Sequence, residues 1–209
     1  MKKNTVKRGI NLINIYEIEI DAKMRDKTFD FANKIILSNN QYLRLSPINN
    51  SNLELQKKIE IQRTYIGKLG ELAFSKFLNE MMIEHSTAGI FDIYEGQTNV
   101  DSFDFKTKNN KTIDIKTGFR NIHKRLLINI EQFENIPKDY YVAVKLNAVD
   151  INTNSKLVDL KNITKAVILG YADYIYLKKY VKYSNFGEGL AKSVLYDKLL
   201  GIDRLLQLF

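Results

Sequence analysis

The stretch Asp101-Ser102-Phe103-Asp104-Phe105-Lys106-Thr107-Lys108-Asn109-Asn110-Lys111-Thr112-Ile113-Asp114-Ile115-Lys116-Thr117-Gly118 reads as two strands joined by a polar turn, a β-hairpin. Alternation puts Phe103 and Phe105 on one face with Ile113 and Ile115, and Asp104 and Lys106 on the other with Thr112, Asp114 and Lys116. Cross-strand partners share a face, so the register must preserve that sorting. A two-residue Asn109-Asn110 turn pairs Asp104 with Ile115 and mixes apolar with charged side chains. The predicted register instead pairs Asp104 with Asp114 and Phe105 with Ile113, through a three- or five-residue turn, and keeps both faces clean.

That register concentrates two carboxylates and an ammonium on one face. Aspartates in adjacent strands repel unless a cation lies between them, and hard oxygen ligands of this kind suit Mg²⁺ or Mn²⁺. An ion so held can polarise a phosphate and activate water, and Lys116, two residues beyond Asp114 on the same face, is placed to orient or deprotonate that water. Phosphodiester hydrolysis is the reaction such a set performs. Asp-x-Lys alone is weak evidence, because it occurs at Asp21/Lys23, Asp104/Lys106, Asp114/Lys116 and Asp159/Lys161. The third is distinguished by an aspartate on the partner strand, a glycine just after it, and a glutamate, Glu71, on the preceding helix.

Upstream, Leu55, Ile59, Ile66, Leu69, Ala73 and Phe77 recur at helical spacing and predict a long helix from Leu53 to Met82, interrupted by Gly67 and Gly70. A helical glycine costs about 1 kcal/mol relative to alanine, so the pair predicts a kink or a close backbone approach. Residues 10–21 alternate and predict a strand or two, and 22–37 carry helical spacing. The polar, proline-containing segment Ser46–Asn52 is the most linker-like and supplies an N-cap, which divides the chain into an N-terminal elaboration, 1–50, and a core, 51–209. Downstream, strands are predicted at Ile90–Glu95, Ser102–Lys108, Lys111–Phe119, Leu126–Ile130, Tyr140–Leu146 and Ala166–Tyr171, and helical pieces at Tyr174–Tyr183 and Tyr196–Phe209. A helix followed by strands argues for α/β or α+β packing.

Composition narrows the chemistry. The chain has no cysteine and two histidines, His85 and His123, which excludes disulfide scaffolds, thiolate metal sites and a His-rich metal site within one chain. With 32 Lys+Arg against 24 Asp+Glu, the formal charge of +8 favours a polyanionic partner, although an AT-rich codon bias also raises lysine content. No apolar run approaches the ~20 residues of a membrane span, and Met1–Arg8 is not followed by a signal-type apolar region, so a soluble cytoplasmic protein is expected.

The order Gly67-Lys68-Leu69-Gly70-Glu71, then Asp104, then Asp114-Ile115-Lys116-Thr117 resembles the PD-(D/E)xK nuclease superfamily, the fold of many restriction endonucleases, resolvases and repair nucleases. The resemblance covers roughly 64–116, with weaker similarity through 140–146 and 166–171. It implies a restriction-endonuclease-like αβββαβ core with a mixed central sheet flanked by helices. By position it makes Glu71 the helix acid, orienting water or a second metal ion, Asp104 and Asp114 metal ligands with the Ile115 carbonyl, and Lys116 the catalytic lysine. It departs from the pattern in lacking a proline before Asp104, in having Asp rather than Glu at 114, and in placing Asp101 close enough to compete as first ligand. A type II restriction endonuclease is implied, with Mg²⁺ as cofactor, double-stranded DNA as substrate and a homodimer as the working unit. The alternatives are a structure-selective resolvase or phage repair nuclease, and a non-catalytic DNA-binding protein on the same fold. Arg120, His123, Lys124 and Arg125, directly after the lysine strand, are the candidate DNA contacts. Lys178, Lys179 and Lys182, interleaved with Tyr174, Tyr176, Tyr180 and Tyr183, either track a backbone or merely border core tyrosines.

Overall fold

The strand carrying Asp114 and Lys116 sits near one edge of a six-stranded mixed sheet. A computed structural model describes residues 1–37, 53–93, 103–150, 157–186 and 189–209. In chain order the elements are β1 (Lys2–Arg8), β2 (Asn11–Glu19), α1 (Ala22–Leu37), α2 (Leu53–Glu80), β3 (Phe105–Lys106), β4 (Thr112–Gly118), β5 (Arg125–Asn129) and α3 (Ile130–Asn135). They continue with β6 (Tyr140–Leu146), β7 (Val149–Asp150), β8 (Val158–Asp159), β9 (Lys165–Asp173), α4 (Tyr174–Tyr180), β10 (Tyr183–Asn185), β11 (Leu190–Leu195) and α5 (Ile202–Leu206), with a 3₁₀ turn at Tyr196–Lys198.

The main sheet runs β1-β2-β9-β6-β4-β3, with β4 and β6 parallel and the other neighbours antiparallel. A second, antiparallel sheet runs β10-β11-β5, and β7 pairs with β8. This is a mixed α/β fold with helices flanking a mixed sheet. From α2 the order α2-β3-β4-β5-α3-β6 reads helix, three strands, helix, strand. The third of those strands, β5, leaves the main sheet and pairs with β11.

Each face of the main sheet is covered. On one, Leu69, Ala73, Phe74 and Phe77 of α2 pack with Ile113, Ile115, Val142, Val144, Ile168 and the β2 residues Tyr16 and Ile18. On the other, Tyr141, Ala143 and Ala172 pack with Leu126, Ile128 and Val194 of the small sheet, Phe133 of α3 and Leu177 of α4. Side chains near complete burial, such as Phe74, Phe77 and Tyr141, each contribute about 2–3 kcal/mol relative to exposure. Residues 1–37 share the first of these cores, and β2 lies hydrogen-bonded to β9, so the N-terminal elaboration is an extension of the sheet and not a separate body. Asp21 caps α1 by accepting the Met24 N–H at 2.9 Å.

Several predicted elements shift. Of the expected strand Ser102–Lys108, Phe105–Lys106 forms β3 and 103, 104, 107 and 108 lie outside any strand. Of the expected strand Ile90–Glu95, Ile90 and Phe91 form a turn and 92–93 no strand, while 94–95 and Ser102 lie outside the described residues. The C-terminal segment breaks into a 3₁₀ turn, a bridge from Leu200 to Tyr171 and the short α5, because Gly201 and the pairing with β9 interrupt the apolar periodicity. Helix α4 stops at Tyr180, and Tyr183 begins β10. The Ser46–Asn52 linker with its cap, and Asp101, lie outside the described residues. Among the described residues no helix is long and apolar enough to cross a membrane.

Candidate active site

The hairpin adopts the register expected from its faces, Phe105 opposite Ile113 and Lys106 opposite Thr112. Its turn is closed by Thr107 N–H to Lys111 O at 2.9 Å, with Asn110 left-handed at φ 57°. Asn tolerates that conformation better than most residues. At the other end Asp104 N–H donates to Ile113 O at 2.9 Å, and the ladder stops there. Alternation directs the Ile115 N–H and C=O to the same edge as those of Ile113, beyond the reach of β3. Asp104 takes over from the missing strand, its Oδ2 accepting the Ile115 N–H at 2.6 Å. The carboxylate is therefore fixed against the bare edge of β4, beside the Ile115 carbonyl.

The two faces of β4 then diverge. Ile113, Ile115 and Thr117 look toward α2, where Gly70 meets Thr117: a Cβ at 70 would overlap Thr117 Oγ1 and lie 3.0 Å from its Cβ. This is the close approach that one of the two helical glycines predicts. Gly67 has nothing within 4 Å of the equivalent point, so it has no such packing role, and α2 is continuous through both. Glu71, one residue after Gly70, is buried at 9% exposure and accepts from Lys68 Nζ at 2.7 Å.

Asp114 and Lys116 look the other way, beside Tyr141 and Ala143 of β6. Lys116 Nζ lies 2.7 Å from Asp114 Oδ2, with side chains 21% and 9% exposed. Gln132 of α3 grips both: its Oε1 accepts from Lys116 Nζ at 2.6 Å and its Nε2 donates to Asp114 Oδ2 at 3.0 Å. Neither Gln132 nor the nearby Lys138 is predicted from the sequence. Gln132 follows a strand through Asn129, which caps α3 by accepting the Glu131 N–H at 2.8 Å, and only the fold of β5 and α3 back onto β4 brings it to the site. Lys138 is buried at 5% exposure, its ammonium donating to the Ile136 carbonyl. Burial lowers its pKa, Lys116 adds to the effect, and Asp114 and Asp104 oppose it.

Asp104 joins the two sides. Burial pushes its pKa well above the ordinary carboxylate range, and Glu71 and then Asp114 push it further, against the opposing pull of the Ile115 N–H and Lys116. Asp104 is thus a buried carboxyl set between Glu71, which is paired with Lys68, and Asp114, which is paired with Lys116. Among the described residues no three Asp, Glu or His side chains gather closely enough to hold an ion unaided. Mg²⁺ does not require that: it is commonly bound by one or two carboxylates, with water and substrate phosphate completing its shell. Asp104, Asp114 and the Ile115 carbonyl are the groups that would hold such an ion, and Glu71, on the α2 side, raises the Asp104 pKa more than Asp114 does.

The predicted basic loop is braced from within. His123 Nδ1 accepts the N–H groups of Phe119 and Arg120 at 3.3 and 3.4 Å, and Lys145 Nζ donates to the Arg120 and His123 carbonyls. His123 is thereby a loop-closing residue, while Lys124 and Arg125 are exposed, Arg125 reaching Ser193 Oγ at 3.2 Å. His85 faces the Ile83 carbonyl with Nδ1 and Ser75 Oγ with Nε2, a half-buried structural link. The tyrosines near α4 divide: Tyr174 and Tyr183 pack on Phe133, while Tyr176 and Tyr180 are exposed beside the exposed Lys178 and Lys179. No protein-family model, no curated protein and no solved structure matches this chain.

Proposed function

We propose that this chain is a Mg²⁺-dependent endonuclease that hydrolyses phosphodiester bonds of double-stranded DNA, as a restriction endonuclease of the PD-(D/E)xK kind does. The observation that carries the reading is Asp104 held against the bare edge of β4 by the Ile115 N–H, buried next to the Asp114–Lys116 pair. The helix-strand-strand-strand-helix-strand order and the net charge of +8 support it.

Asp104, Asp114 and the Ile115 carbonyl would hold the ion, which when bound supplies phosphate polarisation and a water of lowered pKa. The protein's own groups do the rest. Lys116, fixed by Asp114 and Gln132, directs its ammonium at the attacking water or the phosphate oxygen and stabilises the charge that develops there. Gln132 holds the lysine and the aspartate in one orientation and so sets the angle of attack. Glu71, tied to Lys68, would orient water or a second ion from the α2 side. Two copies related by a two-fold axis would match a palindromic site.

The test is incubation with supercoiled and linear DNA in Mg²⁺ or EDTA, beside Asp114→Ala. Discrete fragments that require Mg²⁺ and are absent with the variant are expected. Cleavage of four-way junctions alone would make the chain a structure-selective nuclease, and metal-independent DNA binding without cleavage would make it a binding protein.

A further inference from the structure

A cavity of about 230 Å³ opens beside Glu71 and Asp104, between α2, the turn around Ser86 and β3. It is smaller than the ~300–1,000 Å³ of a pocket that encloses a whole small-molecule ligand, and suits one phosphate-bearing unit of a longer chain. Its charge is arranged in pairs. The carboxylates of Glu71 and Asp104 are faced by Lys68 from the helix and Lys106 from β3. Lys68 is committed to Glu71 at 2.7 Å. Lys106 is not committed in this way: it is exposed, makes no ion pair among the described residues, and its ammonium lies 4.3 Å from the centre of the Phe103 ring, which also lines the cavity. An ammonium on an aromatic face keeps most of its hydrogen-bonding capacity for an incoming anion. Alternation alone sends Lys106 to the side of Asp104, and the break in the β4 ladder at Asp104 leaves this lysine at the edge, next to the acids and without a strand beyond it.

We infer that this cavity seats a sugar–phosphate unit of the bound DNA, with Lys106 as its phosphate contact and Phe103 bordering the sugar. The inference rests on the nuclease reading and adds a binding site on the β3 side, away from the 120–125 loop. Lys106 counters the repulsion that Glu71 and Asp104 exert on an approaching phosphate, so the strand can come close to the acids before any ion is bound.

The experiment measures binding of a short random-sequence duplex to the full chain in EDTA across a salt series, for wild type, Lys106→Gln, Lys106→Arg and Lys3→Gln. Loss of one phosphate contact shallows the slope of log K against log salt by about 0.9, so Lys106→Gln is expected to show that change and severalfold weaker binding. Lys106→Arg keeps the slope. Lys3→Gln, on β1 at the opposite edge of the sheet, keeps slope and affinity. An unchanged slope for Lys106→Gln, with wild-type DNA cleavage intact, overturns this inference and leaves the nuclease reading standing. Absence of DNA binding by wild type overturns both.

Discussion

The two faces of β4 show how one seven-residue strand serves both a core and a site. Toward α2, Ile113 and Ile115 are buried among apolar neighbours, and their stabilisation is the ordinary, non-directional gain of removing hydrocarbon from water. On the opposite face Asp114 is as deeply buried, at 6% exposure, yet its burial is tolerable only because Lys116 and Gln132 satisfy it. The first face needs shape and the second needs named partners. The difference predicts opposite sensitivities: substitutions toward α2 change stability, and substitutions on the charged face change chemistry.

The largest effect expected on the α2 face is that of Gly70→Ala. Its Cβ has no room against Thr117, so overpacking costs about 2–3 kcal/mol, read as a lower urea midpoint. Adding Thr117→Ala removes the colliding groups and recovers most of the loss, a coupling that independent sites do not show. On the charged face, Gln132→Ala leaves the fold and the Asp114–Lys116 contact in place but frees both side chains to reorient. Cleavage is expected to fall roughly 10–100-fold with a near-normal melting curve, the scale at which groups that orient active-site ligands act.

Asp104 sharpens the comparison through pH. Because its folded pKa is raised, the folded state holds this proton over a range in which the unfolded chain has released it. Stability therefore falls as pH rises from the ordinary carboxylate value of 3.8 toward the raised one. Asp104→Asn still offers an oxygen to the Ile115 N–H, and urea unfolding across that window is expected to show a flatter decline than wild type. At neutral pH, Mg²⁺ is expected to raise the midpoint of wild type above its value in EDTA and to leave that of the asparagine variant unchanged. The smallest effect is that of Gly67→Ala, which meets open space and removes a helical glycine. It is expected to stabilise by up to about 1 kcal/mol, opposite in sign to Gly70→Ala three residues on.

What was legible in the sequence follows the same division. The helix over 22–37, the strand 140–146 and the hairpin register were readable because apolar periodicity is local and each of these elements buries one clean face. Strand β1 was not, since Lys2, Lys3, Lys7 and Arg8 dominate it. As the sheet's outer strand it carries the charges that guard an edge and no apolar stripe. Strands β10 and β11 were missed because they find their partner in β5, some sixty residues earlier. In the site, Asp104, Asp114 and Lys116 announce themselves by type and spacing. Gln132 and Lys138 do not, because their roles arise only when α3 and its exit turn fold onto β4. Glu71 stands on α2, the helix packed on the Ile113 and Ile115 face, while Asp114 and Lys116 occupy the opposite face of β4, and Asp104 feels both Glu71 and Asp114, a relation that only the packing reveals.

The most direct test of the central claim is cleavage by Lys116→Ala, assayed in Mg²⁺ at saturating DNA beside wild type. The fold is expected to persist, because Asp114 retains the Gln132 hydrogen bond, and DNA binding is expected to be kept. Wild type should cut, and the variant should cut at least ~10²-fold more slowly, the scale of a lost proton-transfer or charge-stabilising group. Full-rate cleavage by Lys116→Ala would contradict the account, because the ammonium that Asp114 and Gln132 hold in place would then have no part in the reaction.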